Sequence, residues 1–267
     1  MIQVQDRPTW FYSAGKAIDP ARPTVVFIHG AQNDHSVWSL QSRYFACHGY
    51  NVLAVDLPGH GRSSGPALVT IEAMAVWLLA LLDAAGVGQV NLIGHSMGSL
   101  IALETARCAP ERISRLALLG NAFPMKVADA LLSMARDDEP SAIDLVTSWS
   151  HLHAFQRTPL PGFNLQRNAQ RLMERMSAIN PDQLFYTDFS ACNTYAQGDA
   201  AAVIISQHQL PVLFVMGQQD RMTPVKASTR LRAALPNANS IEIADCGHSM
   251  MAEQPDAVLQ ALVAFLK

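Results

Sequence analysis

The sequence is short of charge. Only 15% of its 267 residues are Asp, Glu, Lys or Arg, and the formal net charge is −3. No basic block is present to meet a phosphate backbone or an anionic surface, so neither nucleic acid nor membrane is expected as a partner. No apolar run approaches the ~18 residues that a spanning helix needs. The opening residues 1–8 lack the charged-then-apolar pattern of a secretory leader. Cysteine is scarce and scattered: Cys47, Cys108, Cys192 and Cys246 form no Cys-x-x-Cys pair. They read as reduced thiols of a cytoplasmic protein, acting as small hydrophobes rather than as a disulfide frame or a redox centre. What is abundant is apolar: 49% of the chain, enough for one large core with room for a compact insert.

That apolar content is organised. Residues 24–30 form a β-branched run closed by Gly30, and residues 50–56, 90–93, 113–119, 210–217 and 239–243 are further strand candidates, with an edge strand at 10–14. Helical patterns separate them at 36–48, 71–85, from Ser99 to the residue before Pro110, at 224–235 and at 255–266. Strands alternating with helices of this length imply an α/β fold, a mostly parallel sheet with helices on both faces. The rhythm breaks at 122–195. Helices are expected there at 127–135, 142–152, 165–179 and 181–192, with a break at 159–162 and no clear strand. Residues 1–121 and 196–267 are therefore read as one core, and 122–195 as a helical cap over the strand ends, where such sheets bind ligands.

One stretch carries chemistry. Gly94-His95-Ser96-Met97-Gly98 lies between the apolar run 90–93 and a helix. A serine there sits on a sharp, strained turn, its hydroxyl pushed outward, while the flanking glycines admit neighbouring backbone. The Met97 N–H, at the helix start, is free to meet an anion. A serine hydroxyl is a weak nucleophile, so it needs a base and a group to orient that base.

The pentapeptide and its strand–turn–helix setting match the Gly-x-Ser-x-Gly nucleophile elbow. The whole chain resembles the α/β-hydrolase superfamily, and within it the capped bacterial serine esterases and related hydrolases. The resemblance implies His248, in a Gly-His pair before the last helix, as the base. It implies Asp220, in Gly217-x-x-Asp220 with Pro224 beyond, as the acid. The order Ser96, Asp220, His248 is the superfamily's order. No carboxylate stands after the strand that ends at Gly120-Asn121, and Asp245 is a weak rival on geometry. His29-Gly30-Ala31 resembles the family's His-Gly-x segment, which makes Ala31 the second oxyanion donor beside Met97.

Four residues are candidates for the pocket: His29, which is also a candidate to hold its loop, His95, Trp149 and Phe155. His151 and His153 suggest a metal, but no carboxylate or cysteine pattern accompanies them, so a pocket-lining or surface role is favoured and no metal is expected. The polar residues of 56–63 read as loop braces. The implied chemistry is cofactor-free hydrolysis of a small-molecule ester, small to medium and mostly apolar, through an acyl-enzyme. The same triad serves C–C bond hydrolases and enol-lactonases in related proteins, and some members of the fold only bind small molecules. Oligomeric state is not readable from the chain.

Overall fold

The computed structural model describes residues 1–152 and 164–267. A short antiparallel hairpin, β1 (Ile2–Val4) and β2 (Arg7–Thr9), opens the chain. β3 (Phe11–Tyr12), β4 (Thr24–Ile28), α1 (Ser39–Cys47) and β5 (Asn51–Val55) follow. Next come α2 (Ile71–Ala84), β6 (Val90–His95), α3 (Met97–Cys108) and β7 (Ile113–Leu119). Four helices succeed one another: α4 (Asp129–Asp137), α5 (Glu139–Ser150), α6 (Leu165–Ile179) and α7 (Leu184–Thr194). The alternation returns with α8 (Gly198–Gln207), β8 (Val212–Gly217), α9 (Thr229–Ala234), β9 (Asn239–Ile243), α10 (Met250–Glu253) and α11 (Pro255–Leu266).

Seven strands make one sheet in the order β3-β5-β4-β6-β7-β8-β9. All neighbours are parallel except β3, which runs antiparallel to β5. The two-residue side-chain period divides each strand between two apolar layers. Val26, Ile28, Leu116, Leu118, Phe214 and Met216 pack with Met74 and Leu78 of α2 and Leu100 of α3. Val25, Phe27, Ala117, Leu119, Leu213 and Val215 face the other way, onto Trp38, Phe45 and Val258 and Leu262 of α11. Both faces are covered, which is why these strands read as unbroken apolar runs. β4 lies between β5 and β6, so the chain leaves it first in one direction and then in the other. That reversal opens a crevice beyond the carboxyl ends of β4 and β6.

Several elements depart from the sequence reading. The β1–β2 hairpin has strands of three residues, too short to show a period. α8 buries Ala201, Ala202 and Ile205, but its apolar run continues around the helix to exposed Val203, which hides the stripe. The helix expected at 36–48 opens as a tight turn, His35–Trp38, because the Asp34 carboxylate accepts the Ser36 N–H and caps it.

Helices α4 to α7 form an apolar cluster of their own, with Leu131, Ile143, Val146, Met173, Phe185 and Phe189 buried, and Ala31 and Met222 of the strand-end loops packed on it. Buried polar contacts tie these helices to the sheet. Asp188 of α7, fully buried, accepts the Gln32 N–H at 2.8 Å and lies 2.9 Å from His60 Nε2. Gln32 Nε2 reaches Ser177 Oγ of α6 at 2.8 Å, and Arg175 of α6 pairs with Asp34. Among the described residues no helix is long and apolar enough to cross a membrane.

Burial works against charge on the His60 ring, but the Asp188 carboxylate outweighs it and raises the His60 pKa above its ordinary 6.5. A raised folded-state pKa contributes stability that is full below about 6.5, the unfolded value, and is lost as pH rises through the folded value. The melting-temperature gap between the wild type and His60→Gln should therefore be widest near pH 6 and narrow as pH rises. A gap that is flat or widens with pH would show that the pair carries no charge.

Candidate active site

Ser96 stands at the turn between β6 and α3 with φ +55° and ψ −121°, a conformation costly for a residue with a side chain. The turn is held by Ser96 N–H donating to Leu119 O at 2.9 Å and by Ser99 N–H donating to Ser96 O at 2.8 Å. Its tightness explains the flanking glycines. A Cβ on Gly94 would strike the Gly98 carbonyl, and one on Gly98 would strike the carbonyls of Ile28 and His29. The start of α3 thus lies directly against the end of β4. Gly30 follows β4, and a Cβ there would come within 3.2 Å of Ser96 Cβ, so the Gly30-Ala31 segment and Ser96 share one wall. Met97 is the first residue of α3, where a backbone N–H has no carbonyl one turn back to bond.

His248 arrives on the loop after β9. Its Nδ1 lies 2.7 Å from Asp220 Oδ2, on the loop after β8, and 3.1 Å from Thr223 Oγ1. An ionised carboxylate only accepts, so Nδ1 carries the proton and Nε2 is the basic nitrogen of the neutral ring. Asp220 is well supported. Met222 N–H and Thr223 N–H donate to its Oδ1, and Thr223 Oγ1 donates to its Oδ2, each at 2.8 Å. Burial opposes its ionisation, but the neighbouring His248 and the Thr223 hydrogen bonds prevail and hold its pKa down to about 2. Ser96 and His248 line the same cavity together with Gly30, Ala31 and His95. Among the described residues no hydrogen bond joins Ser96 Oγ to the imidazole. Such contacts are often loose before substrate binds.

The other expected pocket residues divide. His95 lines the cavity, and its Nε2 donates to His248 O at 2.9 Å. Trp149 lines an adjoining cleft with Ser96, Ala31, Met125, Leu131 and Phe189. His29 is a correction: it is fully buried and lines none of these cavities. Its Nε2 accepts the Leu57 N–H at 3.2 Å, so Nδ1 donates to Gly30 O at 2.8 Å, and the ring braces the Gly30-Ala31 loop from beneath. Burial, reinforced by nearby His60, lowers its pKa to about 4 and keeps it neutral. Phe155 and His153 fall outside the described residues.

Three contributors had no sequence signal of their own. Thr223 completes the cradle of Asp220. Ser150 O, at the end of α5, accepts the N–H groups of His248 and Ser249 at 2.9 and 3.0 Å and sets the height of the histidine loop. Gly120, at φ +55°, lies beneath the imidazole, where a Cβ would come within 3.1 Å of His248 Cε1. Among the described residues, one cluster could suggest a metal: Asp34, His35 and Asp56. Its donors are already committed. Asp56 accepts His35 N–H, His35 Nδ1–H and Arg62 N–H, and Asp34 holds Ser36 and Arg175.

Three protein comparisons bear on this geometry. The model of the alpha/beta hydrolase fold family matches residues 23–255. The (E)-2-((N-methylformamido)methylene)succinate hydrolase of Acinetobacter baylyi is 26% identical over 250 residues, covering 91% of this chain and 90% of that one. A 2-hydroxy-6-oxononadienedioate/2-hydroxy-6-oxononatrienedioate hydrolase of Dechloromonas aromatica is 29% identical, with 91% and 86% covered. Among solved structures, the enol-lactonase of Burkholderia xenovorans superposes with a TM-score of 0.80 at 22% identity, covering 98% of each chain, and attests the shared fold.

Gly120→Ala should tilt the His248 ring. The downfield Nδ1–H proton resonance that its bond to Asp220 produces should shift or vanish by NMR, while the remaining amide spectrum persists. An unchanged resonance would show that the ring has room to spare.

Proposed function

The chain belongs to the alpha/beta hydrolase fold family, and from that premise we propose that it is a serine hydrolase cleaving carboxylic esters through an acyl-enzyme. The observation that carries the reading is the strained Ser96 hydroxyl opening into the cavity that His248 lines, with buried Asp220 on the far side of that imidazole. Residues 122–195 act in this reading as the cap and the rest of the chain as the core.

Ser96 Oγ attacks the ester carbonyl carbon while His248 Nε2 takes its proton. Asp220 keeps the ring in the right tautomer and stabilises the imidazolium without accepting the proton. The negative oxygen of the tetrahedral intermediate lies between the Ala31 and Met97 N–H groups, each contributing on the order of a hundredfold in rate. Collapse breaks the C–O bond, and His248 returns the proton to the departing alcohol. A water then attacks the acyl group, gives its proton to Nε2, and the acid leaves as Ser96 is restored. The cleft that Ser96 lines, of about 210 Å³ and walled by Met125, Leu131, Trp149 and Phe189, and the neighbouring one of about 360 Å³ beyond His95 and His151, walled by Leu172 and Met251, suit a small to medium, largely apolar molecule.

A second reading has its own support. Lys126 and Arg221 line the Trp149 cleft, and no acidic residue is among its described lining. The A. baylyi and D. aromatica relatives are named for a succinate and for dioate compounds. An enol-lactone or a dienone acid bearing a carboxylate would place that group there, with the same serine attacking a lactone or ketone carbonyl.

Ser96→Ala should lower turnover of a p-nitrophenyl short-chain ester by about a thousandfold or more with the melting temperature nearly unchanged, and Asp220→Asn should cost on the order of a thousandfold. Wild-type rates retained by Ser96→Ala would overturn the mechanism. A wild type that neither hydrolyses the ester nor reacts with a serine-directed phosphonate would point to a binding protein. Turnover of dienone acids or enol-lactones well above simple esters would favour the second reading.

A further inference from the structure

His151 closes α5 and lies against the loop that carries His248. Its place is fixed from both sides. Ser150 O holds the His248 and Ser249 N–H groups, and Leu152 N–H donates to Glu253 Oε1 at 2.8 Å. The ring is 7% exposed and lines the cavity shared by Ser96 and His248, together with the wider cleft beyond it. Its Nδ1 lies 2.8 Å from Thr147 O. A carbonyl only accepts, so Nδ1 is the protonated nitrogen and Nε2 carries a lone pair. That Nε2 is buried and, among the described residues, has no hydrogen-bond partner. Buried polar atoms are rarely left so, because the unmade bond is costly.

A second ring repeats the arrangement. His95 Nε2 gives its proton to His248 O, which leaves Nδ1 as an acceptor. A Cβ on Gly30 would come within 3.4 Å of that Nδ1, so it stands at the wall that Gly30 and Ser96 share. His95 lines the same two spaces as His151. Burial lowers the pKa of both rings, that of His95 to about 3. At neutral pH each therefore offers a lone pair, and neither offers a charge. The other polar residues described in this cleft, Asn33, Ser36, Ser39, Asn168 and Ser249, are also uncharged.

We propose that His151 Nε2, seconded by His95 Nδ1, is a specificity-determining acceptor that takes a hydrogen bond from an uncharged donor on the substrate, a hydroxyl or an amide N–H close to the scissile carbonyl. This rests on the ester-hydrolase reading of Ser96 and deepens it. The two sides of the site differ in kind: a carboxylate fits beside Lys126 and Arg221, but here it would face two lone pairs. A substrate lacking the donor leaves a buried acceptor unpaired, and that penalty discriminates more sharply than a missing methyl group.

Matched pairs test it: 2-hydroxyethyl against propyl butanoate for the alcohol side, and methyl 3-hydroxybutanoate against methyl 3-methylbutanoate for the acyl side. An N-acetylaminoethyl butanoate with its pentyl counterpart separates amide from hydroxyl. In the wild type, kcat/KM should favour the donor-bearing member of at least one pair by about tenfold. His151→Phe should bring that ratio near one, and His151→Gln, whose side-chain carbonyl restores an acceptor, should recover part of it. Ratios at or below one for every pair in the wild type would overturn the proposal, whether or not either variant folds. So would a preference that survives His151→Phe undiminished. If no ester is turned over, the ester reading falls on its own. Ligand-observed NMR of the same pairs on Ser96→Ala then decides the acceptor role, with equal affinities refuting it.

Discussion

The first turn of α3 lies so close to the carboxyl ends of β4 and β6 that neither Gly94 nor Gly98 has room for a Cβ. Much else follows from that approach. It forces Ser96 to positive φ and lifts its side chain out of the sheet. It presents the N-terminal turn of a twelve-residue helix to the same cavity. It also brings the segment after β4 against the serine, because β4 is the strand from which the chain departs in both directions. The main-chain donors that the proposed mechanism uses, and the hydroxyl, stand on one wall without any long side chain having to be ordered, so little conformational entropy is spent in holding them.

The histidine is positioned by different means. Its loop is anchored by Cys246 and Met250 in the core, and hydrogen bonds set the residue itself: Asp220 and Thr223 on the ring, Ser150 O on the backbone. Gly120 leaves the ring space below, and His95 donates to the His248 carbonyl from the side. The backbone contacts are insensitive to which side chain stands at position 150. The contact at Gly120, by contrast, tolerates no larger residue without moving the ring.

This division explains what could be read from the sequence. The strands of the parallel sheet were legible because both faces are buried, leaving stretches such as 116–119 wholly apolar. The elbow was legible because its glycines mark a steric constraint that no other residue meets. That Asp220 and His248 stand on strand-end loops was legible from their place after the predicted strands and from resemblance to a known family. Ser150 was not, because a main-chain carbonyl has no residue signature. Thr223 was not, because a threonine near an aspartate is common. His29 was misplaced among the pocket residues because the strand end it follows faces the cavity. What decides its role is the Leu57 N–H, 28 positions later, which captures Nε2 and turns the ring into the core.

The helices between β7 and β8 are tied to the strand-end loops by buried hydrogen bonds. α7 supplies Asp188, which holds the N–H of Gln32, the residue after Ala31, and α5 supplies the Ser150 carbonyl beneath His248. These helices therefore hold both loops to which the proposed mechanism assigns the second oxyanion donor and the base. A displacement of α5 and α7 away from the sheet would withdraw both supports at once, since each is a hydrogen bond to a buried part of the chain. The insert and the strand-end chemistry thus form one mechanical unit. Substrate selection by its inner wall, where His151 stands, acts at the place that positions the imidazole.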